Sequence, residues 1–200
     1  MEVKLLSYSC VPLAGGEGVF LRHSTFCFLV DGISRACSHQ LVRHRVASYS
    51  QQSQRYVSMK NFPYVKPKTV EGKKVNVDGM ALDFDGMMKL IGEFYDNLVE
   101  KGVPKEDARF VLPNACSTRL VFSMSGEELV HFLRLRTCNR AQWEIRQLAI
   151  EVLKILIDKF PEVFSKVGPN CYYLGYCTEG KKSCGKQKEV REFFTKLSSK

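Results

Sequence analysis

The sequence predicts an α/β (α+β) fold in which helices pack against a mixed sheet. Three observations support this: β-rich runs over residues 3–9, 25–30 and 118–124, helical periodicity over residues 87–98 and 141–160, and no internal repeat or low-complexity tract. A chain of 200 residues with 44% hydrophobic residues can bury one core. We therefore expect a single domain over residues 1–185 and a charged tail or solvated helix over residues 186–200.

The first half of the chain is predicted to contain short elements separated by turns. Stacked glycines favour a turn after the opening strand, and Asp31-Gly32 predicts another after the second strand. Ile33, Ala36 and Leu41 can share one face of a helix. In order, we expect a strand over residues 3–9, a turn over 15–18, a strand over 25–30, a turn at 31–32 and a helix over 33–42. A polar stretch over residues 43–55 follows, and then an irregular segment with proline and lysine through about residue 76.

The second half is more regular. Lys101-Gly102 ends a clearly amphipathic helix, and Pro104 suits the start of a short one. Ser125 and Glu128 have the spacing of a capping box, with the serine as cap and the glutamate reaching back. We expect a helix over residues 87–101, a short helix over 104–112 and a strand over 118–124. A helix over residues 126–136 and the longest helix of the chain, over 141–160, follow.

The charge of the chain narrows its possible partners. A formal charge of +9 and a pI near 9.2 favour nucleic acid, an anionic membrane surface or phosphorylated small molecules. The first residues lack the apolar core of a secretion signal, and no apolar run approaches the roughly 18 residues that cross a bilayer. We therefore expect a cytoplasmic protein with reduced thiols and no membrane partner.

The eight cysteines form two groups. Three of them, Cys171, Cys177 and Cys184, are separated by five and six residues, whereas zinc knuckles use about two to four. We therefore expect no metal and a reduced polar tail, with a zinc site completed by Cys138 or a water as the alternative. The remaining group lies among apolar neighbours and is expected to pack in the core: Cys10, Cys27, Cys37, Cys116 and Cys138.

The segment 40–56 is the most informative part of the sequence. It contains three arginines, one histidine, three serines and four glutamines, with almost no acidic balance. Such a segment is poor core material, because each buried guanidinium needs a partner. Guanidinium forks and hydroxyls suit the binding of phosphate oxygens. The composition therefore favours a phosphate site, with an exposed polar helix end as the alternative.

The order of these residues is more specific than their composition. Arg43-His44-Arg45, seven intervening residues and then Ser53 match the defining motif of the flavin-dependent thymidylate synthases, with Gln40 upstream. Residues 108–114 and 135–145 resemble two further blocks of that family. The resemblance extends from about residue 26 to residue 185.

The resemblance implies a reaction and a set of partners. Family members transfer a methylene group from methylenetetrahydrofolate to dUMP and reduce it with FAD hydride supplied by NADPH, which yields dTMP. Because the flavin performs the redox step, the protein has only to bind the reactants, orient them and polarise them. The resemblance also implies a homotetramer whose active sites are shared between subunits, and no nucleic-acid partner.

The resemblance assigns roles to individual residues. Arg136 matches the catalytic arginine that stabilises ionised uracil, and Arg109 matches an arginine that reaches the nucleotide from a neighbouring subunit. Ser53 is implied to hold nucleotide and not to act as a nucleophile. The implied cofactor-binding residues are Arg43, His44, Arg45, Gln51, Ser125 and His131. The implied substrate-binding residues are Gln40, Leu41, Val42, Arg43, Gln51, Gln52, Ser53, Gln54, Arg55, Arg109 and Arg136.

Several positions depart from the family pattern. The amino-terminal region is short, Arg22 stands where the family has glutamate, and Glu17 stands where it has histidine. Ser125 and Glu127 replace asparagine and arginine. These departures leave two hypotheses open: a compact working synthase, or a flavin- and nucleotide-binding relative with altered or lost activity. A basic nucleic-acid-binding module is a third, although basic residues are not interleaved with aromatic ones on a recognisable platform.

Overall fold

A computed structural model describes residues 1–56 and 61–199 of the chain, so residues 57–60 of the predicted irregular segment lie outside the described part. The strands are β1 Glu2–Ser9, β2 Thr25–Ser34, β3 Ala47–Gln51, β4 Lys74–Val77, β5 Met80–Asp83 and β6 Ser117–Ser125. The helices are α1 Glu17–His23, α2 Arg35–Leu41, α3 Phe84–Glu100, α4 Lys105–Ala108, α5 Gly126–Arg136, α6 Trp143–Lys159, α7 Pro161–Phe164, α8 Asn170–Tyr173 and α9 Gln187–Ser198. Short 3-10 turns occur at Leu13–Gly15, Lys68–Val70, Arg109–Val111 and Gly180–Lys182.

The elements form an α+β fold with a four-stranded sheet in the order β1-β2-β6-β3 and a separate β4-β5 hairpin. The predicted fold class is therefore confirmed. The chain forms two compact units. Unit 1 contains residues 1–30, 40–49 and 121–200, and unit 2 contains residues 31–39 and 50–120. In the described residues, no helix is both long and apolar enough to cross a bilayer.

The core of unit 1 is built from aromatic and aliphatic side chains of β2, β6, α5 and α6. Phe28 stacks on Phe122 with ring centroids 5.3 Å apart, and Phe132 is fully buried below them on α5. This core fixes the orientation of α5. The core of unit 2 is smaller and surrounds the fully buried Tyr95 of α3: Phe62, Met88, Tyr95, Ala108 and Cys116.

The helix boundaries agree best with the expectations. Helix α3 ends where Gly102 adopts a φ of 85°, as the Lys101-Gly102 stop predicts. Ser125 caps α5 by accepting the N–H of Glu128. Helix α6 starts two residues later than expected, because Gln142 is its cap and accepts the N–H groups of Glu144 and Ile145. It has 17 residues, the same length as α3, so the two tie as the longest described helices.

The turns and the polar segment differ from the expectations. The predicted turn at Asp31-Gly32 is wrong, because β2 continues through it to Ser34 while Gly32 adopts a φ of 77°. Glu17 and Gly18 begin α1 and do not lie in a turn. The polar stretch 43–55, for which no regular element was predicted, contains β3, whose alternating half-buried and exposed residues indicate a strand with one face in the protein.

The β4-β5 hairpin begins at the end of the segment expected to be irregular, and no element was predicted over its second strand. Val77 pairs with Met80, and the two residues between them are Asp78 and Gly79, with φ values of 48° and 77°. Asp-Gly is the pair that a two-residue hairpin turn favours, because both positions need positive φ. The hairpin was therefore available from the sequence at residues 78–79.

The carboxy-terminal helix α9 has a buried face. Val190 is 5% exposed and Phe194 is fully buried, and the Phe194 ring packs against Tyr172 with centroids 5.7 Å apart. The segment 186–200 therefore differs from the expected solvated helix in that Val190 and Phe194 join the core of unit 1, whereas Phe193 stays 44% exposed. The division of the chain at residue 185 stays a prediction.

Candidate active site

The predicted site residues occur in both units, and each set is described separately. In unit 1, α5 carries Glu128, His131 and Arg136. His131 is three positions and Arg136 eight positions after Glu128, so the three share one face of the helix. The helix begins directly after β6, and Ser125 is held at the junction by its capping bond to the N–H of Glu128. The predicted flavin contact Ser125 is therefore already used as a cap.

His44 lies at the centre of a cluster formed with Glu128, His131 and Arg136, which we call the His44 cluster. The His44 Nδ1 atom is 3.2 Å from Glu128 Oε1, and Arg136 Nε donates to His44 Nε2 at 3.0 Å. The His131 ring centroid is 5.8 Å from that of His44. The main chain at His44 is fixed by the Tyr49 hydroxyl, which donates to the His44 carbonyl at 2.8 Å.

These contacts determine the tautomer of His44. A guanidinium always carries its Nε proton, so His44 Nε2 must be the acceptor and Nδ1 the protonated nitrogen. His44 therefore donates to Glu128 and accepts from Arg136. Burial lowers the pKa of His44 most, Arg136 and His131 lower it further, and Glu128 opposes them. The ring is only 5% exposed and is neutral at neutral pH.

The lowered pKa of His44 predicts a loss of stability in mild acid. The unfolded chain titrates this histidine near 6.5 and the folded chain does so lower, so the unfolded state binds more protons below about pH 6.5. The free energy of unfolding should therefore fall as the pH decreases below about 6.5, by at most about 1.4 kcal/mol per pH unit from this group, until the folded protein also binds the proton. Urea unfolding followed by circular dichroism measures it.

A glutamine at position 44 provides the comparison for that prediction. The His44→Gln variant should lose less stability in acid than the native protein, because it keeps hydrogen-bonding capacity but does not titrate. The His39→Gln variant, which changes an exposed histidine, should keep the native pH dependence. Equal slopes in the native protein and His44→Gln would contradict the assignment.

The ligand atoms of His44, Glu128 and His131 lie within 4.8 Å of one another, which suits a metal ion by distance. The guanidinium of Arg136 opposes a cation at this point, because it carries a fixed positive charge and already donates to His44 Nε2. The same charge favours an anionic ligand beside the cluster. The arrangement therefore suits the stabilisation of negative charge better than metal binding.

Unit 2 contains a second group of guanidinium side chains around Glu106. Arg55 donates through Nε and Nη2 to Glu106 Oε2, at 3.1 and 2.8 Å. Arg109 donates to the main-chain carbonyl of Glu106 at 3.1 Å. Arg55 and Glu106 are both about half exposed, so this pair is weak and can open for a stronger anion. Arg55 and Arg109, both predicted to bind nucleotide, thus contact the same residue, Glu106.

Arg35 belongs with this second group, although the sequence patterns did not identify it. Burial and the nearby Arg109 lower its pKa, while Cys116 opposes them. Its buried Nε has no hydrogen-bond partner among the described residues, and its Nη2 donates to the Gln52 carbonyl at 2.7 Å. An anion bound beside this buried donor and the second guanidinium would lower the energy of both groups. The helical signal at residues 33–42 had concealed this role.

The glutamines and serine of the motif are partly used within unit 2. Gln51 Nε2 donates to Ser38 Oγ at 2.9 Å and lies 3.3 Å from Thr118 Oγ1. Ser53 Oγ accepts the N–H of Arg55 at 3.1 Å, which leaves its hydroxyl proton for another acceptor. Gln51 is thus held in place inside the protein, whereas Ser53 keeps a donor for a ligand.

The remaining predicted residues of unit 1 surround His44 in sequence. Leu41 is fully buried, so only its main chain can meet a ligand, while Val42 is 37% exposed. Arg43 and Arg45 are exposed on either side of the buried His44, and neither forms an ion pair with another described residue. Two exposed guanidiniums without acidic partners can hold the phosphates of a dinucleotide. The flavin contacts of Arg43, His44 and Arg45 stay predictions.

The departures from the family pattern include a compensating pair. Arg22 Nε and Nη2 donate to Glu127 Oε1, both at 3.2 Å, so α1 and α5 are joined by the two residues whose charges are exchanged relative to the family pattern. Glu17 pairs with Lys166. Because opposite charge is kept at positions 22 and 127, these departures are not evidence of an eroded site.

Comparisons with known proteins agree with the geometry. The family model described as thymidylate synthase complementing protein matches residues 10–162. A flavin-dependent thymidylate synthase of Geobacter sulfurreducens is 47% identical over 183 residues, which cover 92% of this chain and 78% of that protein. One from Clostridium tetani is 39% identical over 205 residues, covering 96% and 82%.

The fold is also found among solved structures. A flavin-dependent thymidylate synthase from Helicobacter pylori, solved in complex with FAD and dUMP, superimposes with a TM-score of 0.66 at 23% identity. The match covers 84% of this chain and 100% of that one. At this level of identity, the likeness establishes the shared fold.

Proposed function

Since the chain belongs to the family of flavin-dependent thymidylate synthases, we propose that it converts dUMP to dTMP by reductive methylation. In this proposal, methylenetetrahydrofolate supplies the one-carbon group, and bound FAD, reduced by NADPH, supplies the hydride. The residues of the chain bind the reactants, orient them and stabilise charge.

The contact between Arg136 and His44 is the observation that carries the proposal. Glu128 accepts from His44 Nδ1, and the opposite nitrogen of the ring accepts from Arg136 Nε. This chain of bonds fixes the guanidinium while keeping its charge. A guanidinium held in this way can stabilise the negative charge of an ionised uracil ring, which makes the ring carbon more nucleophilic. We assign Arg136 as the catalytic residue on this basis.

The flavin is proposed to lie against unit 1. Arg43 and Arg45 are placed to bind its phosphates, since both are exposed and without acidic partners among the described residues. Ser125 and His131 complete the proposed contacts in this unit. Gln51, although held by Ser38, keeps its carbonyl oxygen as a possible acceptor for a ligand.

The phosphate of dUMP is proposed to bind the guanidinium group of unit 2. Arg55 and Arg109 converge on Glu106, and Arg35 adds a buried donor. A phosphate dianion would compete with Glu106 for Arg55, because two charges and bidentate geometry outweigh one exposed carboxylate. The other proposed substrate contacts come from the same sequence motif: Gln40, Leu41, Val42, Arg43, Gln51, Gln52, Ser53 and Gln54.

We further propose a homotetramer in which Arg109 reaches the nucleotide of a neighbouring subunit. Phe110, the next residue on the same 3-10 turn, is 83% exposed. A phenylalanine at the surface beside a ligand-binding arginine is typical of an interface. Sedimentation of the native protein tests the assembly, and a monomer at assay concentration would contradict it.

The activity is tested with dUMP tritiated at the ring carbon that receives the methyl group. The native protein is expected to form dTMP and release tritium when methylenetetrahydrofolate and NADPH are present, and to carry a flavin absorption spectrum. Omission of the folate should abolish dTMP formation. A protein that binds flavin and dUMP yet forms no dTMP would support the altered relative and contradict the synthase.

Replacing Ser53 with alanine is expected to weaken dUMP binding more than chemistry. The change removes the hydroxyl donor that the bond from the Arg55 N–H leaves available. A hydrogen bond to a charged group contributes about 1.5–3 kcal/mol, so KM for dUMP should rise about ten- to a hundredfold while kcat stays nearly constant. Steady-state kinetics measures both.

Ser50→Ala is the matched control for that variant, because Ser50 is an exposed serine of β3 three residues earlier. Its kinetics should equal those of the native protein. A fall in kcat at unchanged KM in Ser53→Ala would instead indicate a role in the chemical step.

A further inference from the structure

Four cysteines line one small cavity in unit 1, three of them within residues 171–184 and the fourth at position 138. Its volume is about 30 Å³, close to that of a single water. The four come from different places in the fold: Cys138 follows α5, Cys171 lies on α8, and Cys177 and Cys184 lie in the segment between α8 and α9. In the part of the chain that the structure describes, all of them are free thiols.

Two sulfurs of this cysteine cluster receive N–H donors. The main-chain N–H of Arg140 points to Cys138 Sγ at 3.5 Å, and Asn139 Nδ2 lies 3.9 Å from Cys184 Sγ. N–H donors directed at sulfur stabilise negative charge on it, as is usual around metal-bound thiolates. These hydrogen bonds would help to stabilise negative charge on the two sulfurs if they bound a metal.

The charges around the cavity suit a metal with four thiolates. Such a centre carries a net charge of −2, and the guanidiniums of Arg134 and Arg140 line the same cavity, with Glu179 as the one acidic side chain there. Arg134 is itself fixed by a hydrogen bond to Asn170 Oδ1 at 2.9 Å. The surroundings thus provide positive charge where the ligands would bring negative charge.

The segment between α8 and α9 is held mainly by hydrogen bonds, among them those from Asn170 Nδ2 to Thr178 Oγ1 and from Arg140 Nε to the Lys182 carbonyl. Its one regular element is the 3-10 turn Gly180–Lys182, and Leu174 and Tyr176 are 38% and 62% exposed. Apolar burial therefore contributes little along it, and a cross-link is the usual way to stabilise such a segment. Cys177 and Cys184 are the two cluster members that it contains.

We propose that Cys138, Cys171, Cys177 and Cys184 bind a structural zinc ion that ties the segment after α8 to the end of α5. The site differs from a zinc knuckle, because its ligands come from three parts of unit 1 and are brought together by packing. No three of the four described sulfurs lie within 4.8 Å of one another in the structure, so zinc–sulfur bonds of about 2.3 Å would have to draw them inward from the cavity wall. The site has no open position, so its role is structural and not catalytic.

The experiment uses the full-length protein without a histidine tag, purified with and without zinc in the buffer. Metal analysis after gel filtration should give about one zinc per chain. Cobalt substituted for zinc should show the thiolate-to-cobalt charge-transfer band and the visible bands of a tetrahedral site. Trypsin should cleave after Lys181 and Lys182 more slowly in the zinc-loaded protein than after chelation.

Single cysteine variants identify the ligands. Cys138→Ser and Cys184→Ser should each lower the zinc content of the purified protein by about tenfold or more. Cys27→Ser, which changes a half-buried cysteine of β2 outside the cluster, should retain zinc fully. The native protein is the first measurement, so a variant that fails to fold does not decide the result.

Three results would overturn the proposal. The first is native protein that lacks stoichiometric zinc after expression and dialysis with zinc. The second is zinc that persists in both Cys138→Ser and Cys184→Ser. The third is a disulfide between cluster cysteines, found by mass spectrometry of the unreduced protein. Loss of zinc with unchanged FAD binding would support the proposal and separate it from the proposed synthase function.

Discussion

Replacing Arg136 with alanine is expected to lower kcat for dTMP formation by about 10²–10³-fold, the loss typical of removing one preorganised donor to a developing oxyanion. The guanidinium is held by His44, which Glu128 orients in turn, so its charge is fixed before the substrate arrives. The variant should still fold and bind flavin, since the change removes a half-buried side chain at the end of α5. Flavin absorbance and steady-state kinetics measure the two effects.

Arg134→Ala is the matched control for this prediction. Arg134 lies on the same helix, but its guanidinium packs over the Tyr173 ring at 4.6 Å and bonds Asn170. Its loss should affect stability while kcat stays near the native value. The assigned role of Arg136 would be wrong if Arg136→Ala kept native turnover, or if Arg134→Ala lost as much activity.

The candidate site was partly predictable because its motif residues are close together in the sequence. Arg43, His44 and Arg45 were identified from their resemblance to a family motif, and the structure adds that the two arginines are exposed while the histidine is buried. Their partners were not predictable in the same way. Glu128 had been explained as part of a capping box, and only the packing of α5 shows that its carboxylate meets His44.

Arg35 and Cys138 illustrate the same limit for other parts of the molecule. Arg35 lies in a helix and resembles any surface arginine until Arg109 and the Gln52 carbonyl are found beside it. Cys138 was expected to pack in the core, yet it lines a cavity with three cysteines more than thirty residues further along. Each pattern was local, whereas each site depends on long-range packing.

The fold was predictable where a local signal had a single interpretation. Glycine at positive φ ended α3 as expected, and the capping serine started α5. Gly32 also adopts a positive φ, but it lies inside β2 and does not end it. An Asp-Gly pair therefore predicts a positive φ reliably and a chain reversal only when both flanking strands can pair, as they do around Asp78-Gly79.

The largest effect on stability is expected at Gly126, the first residue of α5. A β-carbon there would lie 2.7 Å from the Leu21 carbonyl oxygen and 2.9 Å from Leu21 Cα. Both are main-chain atoms of α1, so neither can rotate away. Gly126→Ala should destabilise the protein by about 3 kcal/mol, at the upper end for overpacking, and lower Tm by roughly 6–12 °C for a chain of this length. Thermal unfolding by circular dichroism measures it.

Gly18→Ala tests whether that loss comes from the contact and not from replacing glycine as such. Gly18 is an exposed residue of α1 with no heavy atom within 4 Å of its added β-carbon, so alanine should stabilise the protein by about 0.5–1 kcal/mol. Opposite signs at the two positions would show that α1 fixes the start of α5. Because α5 carries Glu128 and Arg136, Gly126→Ala should also reduce kcat, whereas a destabilised variant with native kcat would show that the His44 cluster tolerates movement of the helix.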